Sequence, residues 1–390
     1  MKRKTEEQNI DVFFSLLRAG LWSNANLDLN VDYDGVDWGE VYRLAEEQSV
    51  VGLIADGIDR FKLQVPRFKV PQEWALQFIG ATLQLEQRNK AMNQFIGELI
   101  QRMRKADIYT LMVKGQAVAQ CYEKPLWRAC GDVDFFLDDK NYKAAQDFLM
   151  PLAASVDTEG AYSKHIGMAI DPWEVELHGT MRCGLSSRMD KGLDELQEEC
   201  FKMGAVRVWK NGETDVYLPS ADNDIIFVFT HFLKHFYKGG IGLRQICDWC
   251  RLLWTYREEI NTSLLERRLR EMGLATTWKA FGMFAILNLG MPKDAMPLLK
   301  DSNNENGWKL SGDLKRKAKR IQKFIMESGN FGHSRDNSYF SKYPYIVRKC
   351  FSMGRRVGDL MRHSLIFPMD SMRYMPKILV NGLRSAANGE

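Results

Sequence analysis

The chain has 390 residues, of which 45% are hydrophobic, 11% aromatic and 27% charged, with a net charge of +4. That balance describes a soluble globular protein of about two to three units, long enough to bury a sizeable core. No apolar run approaches the roughly 20 residues of a membrane span, and the first apolar stretch, Ile10 to Leu17, is broken by Asp11 and Ser15, so no signal peptide is expected.

Residues 1–105 are expected to be helical. The segment Trp38 to Phe61 carries an irregular helical pattern. After Pro71 a longer helix is expected, since Leu85, Met92, Phe95, Ile96, Leu99 and Met103 recur at three- and four-residue steps. The period then changes. Ile108 to Val113 reads as a strand, Lys114-Gly115 breaks it, and Gln116 to Cys121 suits a helix. Val133 to Leu137 is the next strand, "NYKAAQDFLMPLAA" is helical, and "GMAIDPWEVELHG" holds two strands around Pro172. "AVRVWKNGETDVYL" is expected to be a hairpin turning at Asn211-Gly212. Residues 106–219 are therefore expected to form a compact α/β or α+β core. Ser220 and Asp222 offer N-cap oxygens for a helical domain over 220–300. "DSNNENG" (301–307) reads as a loop, and 301–390 as a basic C-terminal extension.

Seven cysteines, odd in number and scattered, suggest reduced thiols in a cytoplasm rather than a disulfide framework. Cys247 and Cys250 form a C-x-x-C in a helical pattern without a second pair, and are expected to be core thiols.

The chemistry concentrates around "GDVDFFLD". Asp132 and Asp134 project from one face of a strand. Unpaired burial of two carboxylates costs several kcal/mol or protonates one of them. A hydrated strand edge is one resolution; a divalent cation is another, Mg²⁺ or Mn²⁺ being suited to carboxylates and substrate phosphates. Three neighbours favour the cation. Lys114-Gly115 ends a strand and opens a helix, where backbone N–H groups approach a phosphate. Arg128 sits four residues before Asp132 and its guanidinium suits a pair of phosphate oxygens. In "WEVELHG", Glu174, Glu176 and His178 share one strand face and can supply a third carboxylate.

The order "KG", "YEKPLWRACGDVDFFL", "VELHG" and "FTHFLKHF…LRQICDW" resembles the uncharacterised nucleotidyltransferase family of the DNA polymerase β-type superfamily, over about Trp38 to Pro297. The resemblance implies an α+β, polymerase β-like core with a mixed sheet flanked by helices, binding an NTP substrate and a divalent metal. It implies Asp132, Asp134 and Glu176 as catalytic metal ligands, with Glu174 as the substitute for Glu176. It places Lys114, Gly115 and Arg128 on the nucleotide side. The sequence departs from the family at Gly115-Gln116, where Gly-Gly or Gly-Ser is usual. It departs again at Tyr122 and Pro125, which two residues separate.

His231 and His235 share one helix face, with Asp248 in the next helical stretch. They are expected either to pack in the core or, as the resemblance implies, to close the cleft opposite the acids and orient the acceptor together with His178 and Asp248. Zinc is the weaker alternative, since the Glu of H-E-x-x-H is absent.

From Trp308 to Glu390 there are 17 basic and 6 acidic residues, a net of +11, leaving −7 for the rest. This segment is expected to be a solvated helical extension. Alternatively Arg355, Arg356, Arg362 and Arg373, interleaved with Met, Leu and Phe, contact an anionic membrane surface from the cytoplasmic side. No nucleic-acid reading motif is present. The expected activity is transfer of an NMP from an NTP to a hydroxyl of a small molecule, a sugar-like metabolite or a protein. The alternative is a silent binding or assembly module on the same fold.

Overall fold

The computed structural model describes residues 2–23, 27, 31–157, 164–299, 311–329 and 345–387. Four helices come first: α1 (Lys2–Leu21), α2 (Trp38–Glu47), α3 (Val51–Gln64) and α4 (Gln72–Lys105). The backbones of α1 and α3 touch. A Cβ on Gly20 would lie 1.9 Å from the Leu53 carbonyl oxygen, and one on Gly57 2.1 Å from that of Leu16. Any side chain there would drive the helices apart. Asp37 caps α2, its carboxylate accepting from the Glu40 N–H at 3.1 Å.

The expected mixed sheet has five strands: β1 (Leu111–Val113), β2 (Asp132–Phe136), β3 (Ser155–Val156), β4 (His165–Ile170) and β5 (Trp173–His178). Their order is β1-β2-β5-β4-β3. The β2–β5 pair is parallel and the others antiparallel. Helix α5 (Gly115–Ala119) links β1 to β2, and α6 (Asp139–Leu149) follows β2. One face of the sheet buries Met112, Val133, Phe135, Ile166, Met168, Val175 and Leu177 against Met92, Ile96, Leu99 and Met103 of α4 and Ala145 and Leu149 of α6. On the other face Leu111, Val113 and Phe136 join a second core, shared with α1, α3 and the helices that follow the sheet.

The first strand is shorter than its β-rich sequence suggests. The backbone N–H of Ile108 closes the end of α4 on the Met103 carbonyl at 3.0 Å. That of Tyr109 donates to Asn141 Oδ1 at 2.8 Å. Those donors are committed before a ladder can form.

Helix α7 (Ser187–Lys202) precedes the hairpin β6 (Val206–Asn211) and β7 (Thr214–Pro219), which turns at Gly212 with φ +57° as its sequence implies. Then come α8 (Ala221–Lys238), α9 (Leu243–Thr255), α10 (Thr262–Glu271) and α11 (Ala275–Leu289), and after them α12 (Gly312–Ser328), α13 (Tyr345–Ile366) and α14 (Pro368–Ala387). The expected caps on α8 do not form. Ser220 holds the N-cap position without a side-chain bond, and Asp222 Oδ1 instead accepts from the Asn261 N–H at 3.0 Å, tying α8 to α10. The expected loop at 301–307 lies outside the described residues.

Six cysteines are buried free thiols, Cys247 and Cys250 among them. Burial raises both of these thiols well above their ordinary pKa, which suits core packing rather than reactivity. No helix among the described residues is long and apolar enough to cross a membrane.

Candidate active site

The parallel β2–β5 register sets Asp132 beside Glu174 and Asp134 beside Glu176. Alternation then separates two jobs along each strand. Val133, Phe135, Val175 and Leu177 fill one core, while Asp132, Asp134, Glu176 and His178 share the other face. Single donor atoms of Asp132, Asp134 and Glu176 all lie within 4.8 Å of one another. Glu174 is exposed and outside that trio.

Two imidazoles and one ammonium hold this cluster. Lys114 Nζ lies 2.5 Å from Asp134 Oδ1. His178 Nε2 donates to the same Asp134 oxygen at 2.8 Å and lies 3.3 Å from Glu176 Oε2. His165 Nε2, on β4, donates to Glu176 Oε2 at 3.0 Å. The electrostatics follow from these contacts. The Asp134 carboxylate, with burial second, raises the Asp132 carboxyl above its ordinary pKa despite Lys114. Burial disfavours charge on Glu176, but hydrogen bonds from His165 and His178 outweigh it and hold that carboxyl below its usual range. Burial likewise opposes the Lys114 ammonium, and Asp134, Glu176 and Asp132 outweigh it.

Lys114 and Gly115 bend the chain sharply between β1 and α5, with φ of +56° and +42°. A Cβ on Gly115 would press on Cys130 Sγ at 3.2 Å and lie 3.4 Å from the Asp132 carbonyl oxygen. The glycine thus serves the close approach of β2. Helix α5 spans only five residues, so its dipole is a small attraction for phosphate.

The departure at Gln116 has a structural role. Gln116 is fully buried and donates to Asn89 Oδ1 at 2.7 Å. Asn89 Nδ2 in turn donates to the carbonyls of Leu126 and Arg128 at 2.8 and 2.9 Å. The amide pair fixes the loop that delivers Arg128.

Arg128 itself faces a carboxylate. Its Nε and Nη2 reach Asp248 at 3.1 and 2.5 Å in a buried fork, and the Tyr122 hydroxyl donates to the same acid at 2.7 Å. Two residues expected on opposite sides of the cleft, Arg128 and Asp248, are therefore partners. His231 and His235 meet Nε2 to Nε2 at 3.0 Å on α8. Burial above all, with nearby lysines, lowers both; His235 falls to about 3. Neutral rings at this distance share one proton between a donor and an acceptor.

A solvent-connected cleft joins the two sides. Lys114, Gly115, Arg128, Asp132 and Asp134 line it with His231 and Asp248, and so do Arg244 and Gln245 of α9. His165, Arg244, Gln245 and Lys234 escaped the sequence reading. Burial, then Lys238 and Lys114, pull the Lys234 amine down to about 8. Arg244 and Gln245 sit inside the quoted "LRQICDW", four and three residues before Asp248, and that spacing was the one available signal.

No curated protein and no solved structure matches the chain. A family model described as an uncharacterised nucleotidyltransferase matches residues 34–287, well over half of the sequence and including every strand, the acid trio and the α8–α9 side of the cleft. The chain belongs to the uncharacterised nucleotidyltransferase family.

Proposed function

We propose that the chain transfers an NMP from an NTP to a hydroxyl acceptor, with Asp132, Asp134 and Glu176 holding divalent metal. The convergence of three carboxylates from two adjacent strands within 4.8 Å carries this reading. The donor set fits a hard cation such as Mg²⁺ or Mn²⁺: it is all oxygen, and the repulsion that raises Asp132 is what such a cation relieves. When bound, the metal would neutralise phosphate charge and make the acceptor hydroxyl more acidic.

The chain's own groups supply the rest. Lys114 balances Asp134 and stands beside the cleft, where a phosphate can share its charge. His165 and His178 orient Glu176 and keep it ionised. A carboxylate held that low is a weak base, which suits Glu176 as a ligand better than as a proton acceptor. The α8–α9 side, with His231, His235 and Asp248, closes the cleft opposite the acids as the acceptor side; it belongs to a 220–300 unit distinct from the 106–219 core.

The test is thermal unfolding with each of the four NTPs, with and without Mg²⁺ or Mn²⁺, on the wild type and Asp132→Asn. A metal-dependent stabilisation by one NTP, lost in the variant, supports transfer; radiolabel moved from that NTP's α-phosphate to an acceptor completes it. No stabilisation by any NTP favours the second reading, a silent binding module. One observation recommends that alternative: Lys114 and Arg128 each already face an internal acid.

For the C-terminal extension we propose contact with an anionic membrane surface. Val357, Met361, Leu365, Met369 and Met372 recur at steps of three and four and are 42–71% exposed. They lie in the basic segment, beside Arg362 and Arg373. Flotation of the full chain with phosphatidylserine vesicles should be lost in Met361→Glu/Leu365→Glu. Equal flotation, or none in the wild type, refutes the contact.

A further inference from the structure

Three described residues lining the cleft carry permanent positive charge: Lys114, Arg128 and Arg244. The first two face Asp134 and Asp248 across 2.5 Å. Arg244 is arranged differently. Its Nη1 donates to the Ala129 carbonyl at 2.9 Å, while its Nε is buried without a hydrogen-bond partner. Burial, and then Arg128, pull this guanidinium below its ordinary pKa, so the surroundings tax its charge rather than support it. A buried donor left without an acceptor is destabilising, because its lost hydration is not replaced. A buried donor of this kind, in the wall of a cleft, is open to an acceptor brought by a ligand.

The next residue repeats the pattern with opposite polarity. Gln245 is 8% exposed and lines the same cleft, and its Oε1 is buried without a partner. Adjacent residues of α9 therefore bring an unmatched donor and an unmatched acceptor to the cleft that Asp132 and Asp134 line from the other side.

We infer that Arg244 and Gln245 form the sugar-phosphate subsite for the nucleotide, Arg244 donating to phosphate oxygens and Gln245 Oε1 accepting from a ribose hydroxyl. This rests on the nucleotidyl-transfer reading above. An arginine fork matches a pair of phosphate oxygens. Arg244 can take them without surrendering an internal ion pair, which neither Lys114 nor Arg128 can. The acceptor on Gln245 requires that the same ligand carry a donor close to its phosphate, and a ribose hydroxyl meets that requirement where a bare polyphosphate does not. Because Nε and Oε1 are both buried, entry of the ligand requires α9 to part from the 128–132 loop.

The test uses the full-length protein and calorimetric titration with Mg²⁺ present. The probes are the ribonucleoside triphosphate that binds best among the four, its 2′-deoxy and 3′-deoxy forms, and inorganic triphosphate. Arg244→Met should weaken both the nucleotide and inorganic triphosphate by about 10- to 100-fold. Arg244→Lys, which keeps the charge and loses the fork, should recover only part of that loss. Gln245→Met should weaken the nucleotide by about tenfold while leaving inorganic triphosphate unchanged, and should abolish discrimination against one of the deoxy forms. Mn²⁺ binding without nucleotide, read by electron paramagnetic resonance, should stay at the wild-type level in all three.

Nucleotide binding undiminished in Arg244→Met overturns the inference, as does a Gln245→Met variant that loses nucleotide and inorganic triphosphate equally. If Arg244→Met fails to fold, Arg244→Lys decides: wild-type affinity there overturns the fork. A wild type that binds none of the four NTPs removes the transfer reading itself and this subsite with it, an outcome distinct from variants that bind as well as the wild type.

Discussion

The two sides of the cleft handle charge in opposite ways. On β2 and β5 the carboxylates crowd together, and Asp134 raises Asp132 even with Lys114 in contact. On α8 burial strips positive charge, lowering His235 to about 3 and Lys234 to about 8. On α9 it disfavours Arg244. The strand side carries more carboxylate than Lys114 alone balances; the helix side holds back donors and positive charge that an anion would call out. A metal-bound polyphosphate alternates charge in just this sense, positive toward the strands and negative toward the helices. The difference teaches that neither side is a site alone.

The sharpest way to break this contrast is at its negative pole. Asp132→Ala should lower metal-dependent transfer by about 1000-fold or more, the several kcal/mol that a lost metal site supplies. Its circular dichroism should match the wild type. Undiminished transfer by a folded Asp132→Ala protein would falsify the metal mechanism.

Next comes the one place where the two sides are already joined. Arg128 and Asp248 are both buried, so Arg128→Met takes away the cation paired with Asp248 and leaves it the Tyr122 hydroxyl, at about 3–5 kcal/mol in chemical denaturation. Adding Asp248→Leu should restore much of that stability. A loss below about 1 kcal/mol would show an exposed, unimportant pair.

A smaller effect is expected behind Glu176. His165→Phe removes a hydrogen bond that holds this acid ionised and should weaken Mn²⁺ binding by about 10- to 100-fold. Unchanged Mn²⁺ affinity would leave His165 with only a structural role.

The smallest effect is a pH dependence on the helix side. His231 and His235 have folded pKa values below their ordinary value near 6.5. The unfolded chain therefore binds more protons between pH 6.5 and about 3, and stability falls as pH falls through that window. At pH 5.5 the loss is about 1.4 kcal/mol for His235. His235→Phe should flatten the melting-temperature profile between pH 7.5 and 5.5; an unchanged slope would place the dependence elsewhere.

The pattern of residues carried the parts of this picture that rest on local geometry. Alternation put Asp132 and Asp134 on one face, Asn211-Gly212 marked a hairpin, and Lys114-Gly115 marked a bend. What depends on distant partners was not legible. Ile108 to Thr110 have strand-like side chains, but the backbone donors of Ile108 and Tyr109 go to α4 and Asn141. Gln116 stands in the sequence only as a departure from the family pattern, because Asn89, its partner, lies 27 residues away on α4. Arg128 looked free for a phosphate until α9 brought Asp248 to it. His165 belonged to no motif, and the antiparallel β4–β5 register alone sets it beside His178.

The parallel pairing of β2 with β5 also bears on how such a protein can diverge. Strands that run side by side in the same direction must be joined by a crossover, here residues 137–172. The spacing of the acids answers to the ladder between the two strands, while His165, inside the crossover, holds Glu176 ionised. A lineage could rewrite the crossover around His165 and still inherit the carboxylate spacing. Spacing and support of the acids would then be separately heritable, the ladder fixing the one and a single residue of the crossover the other.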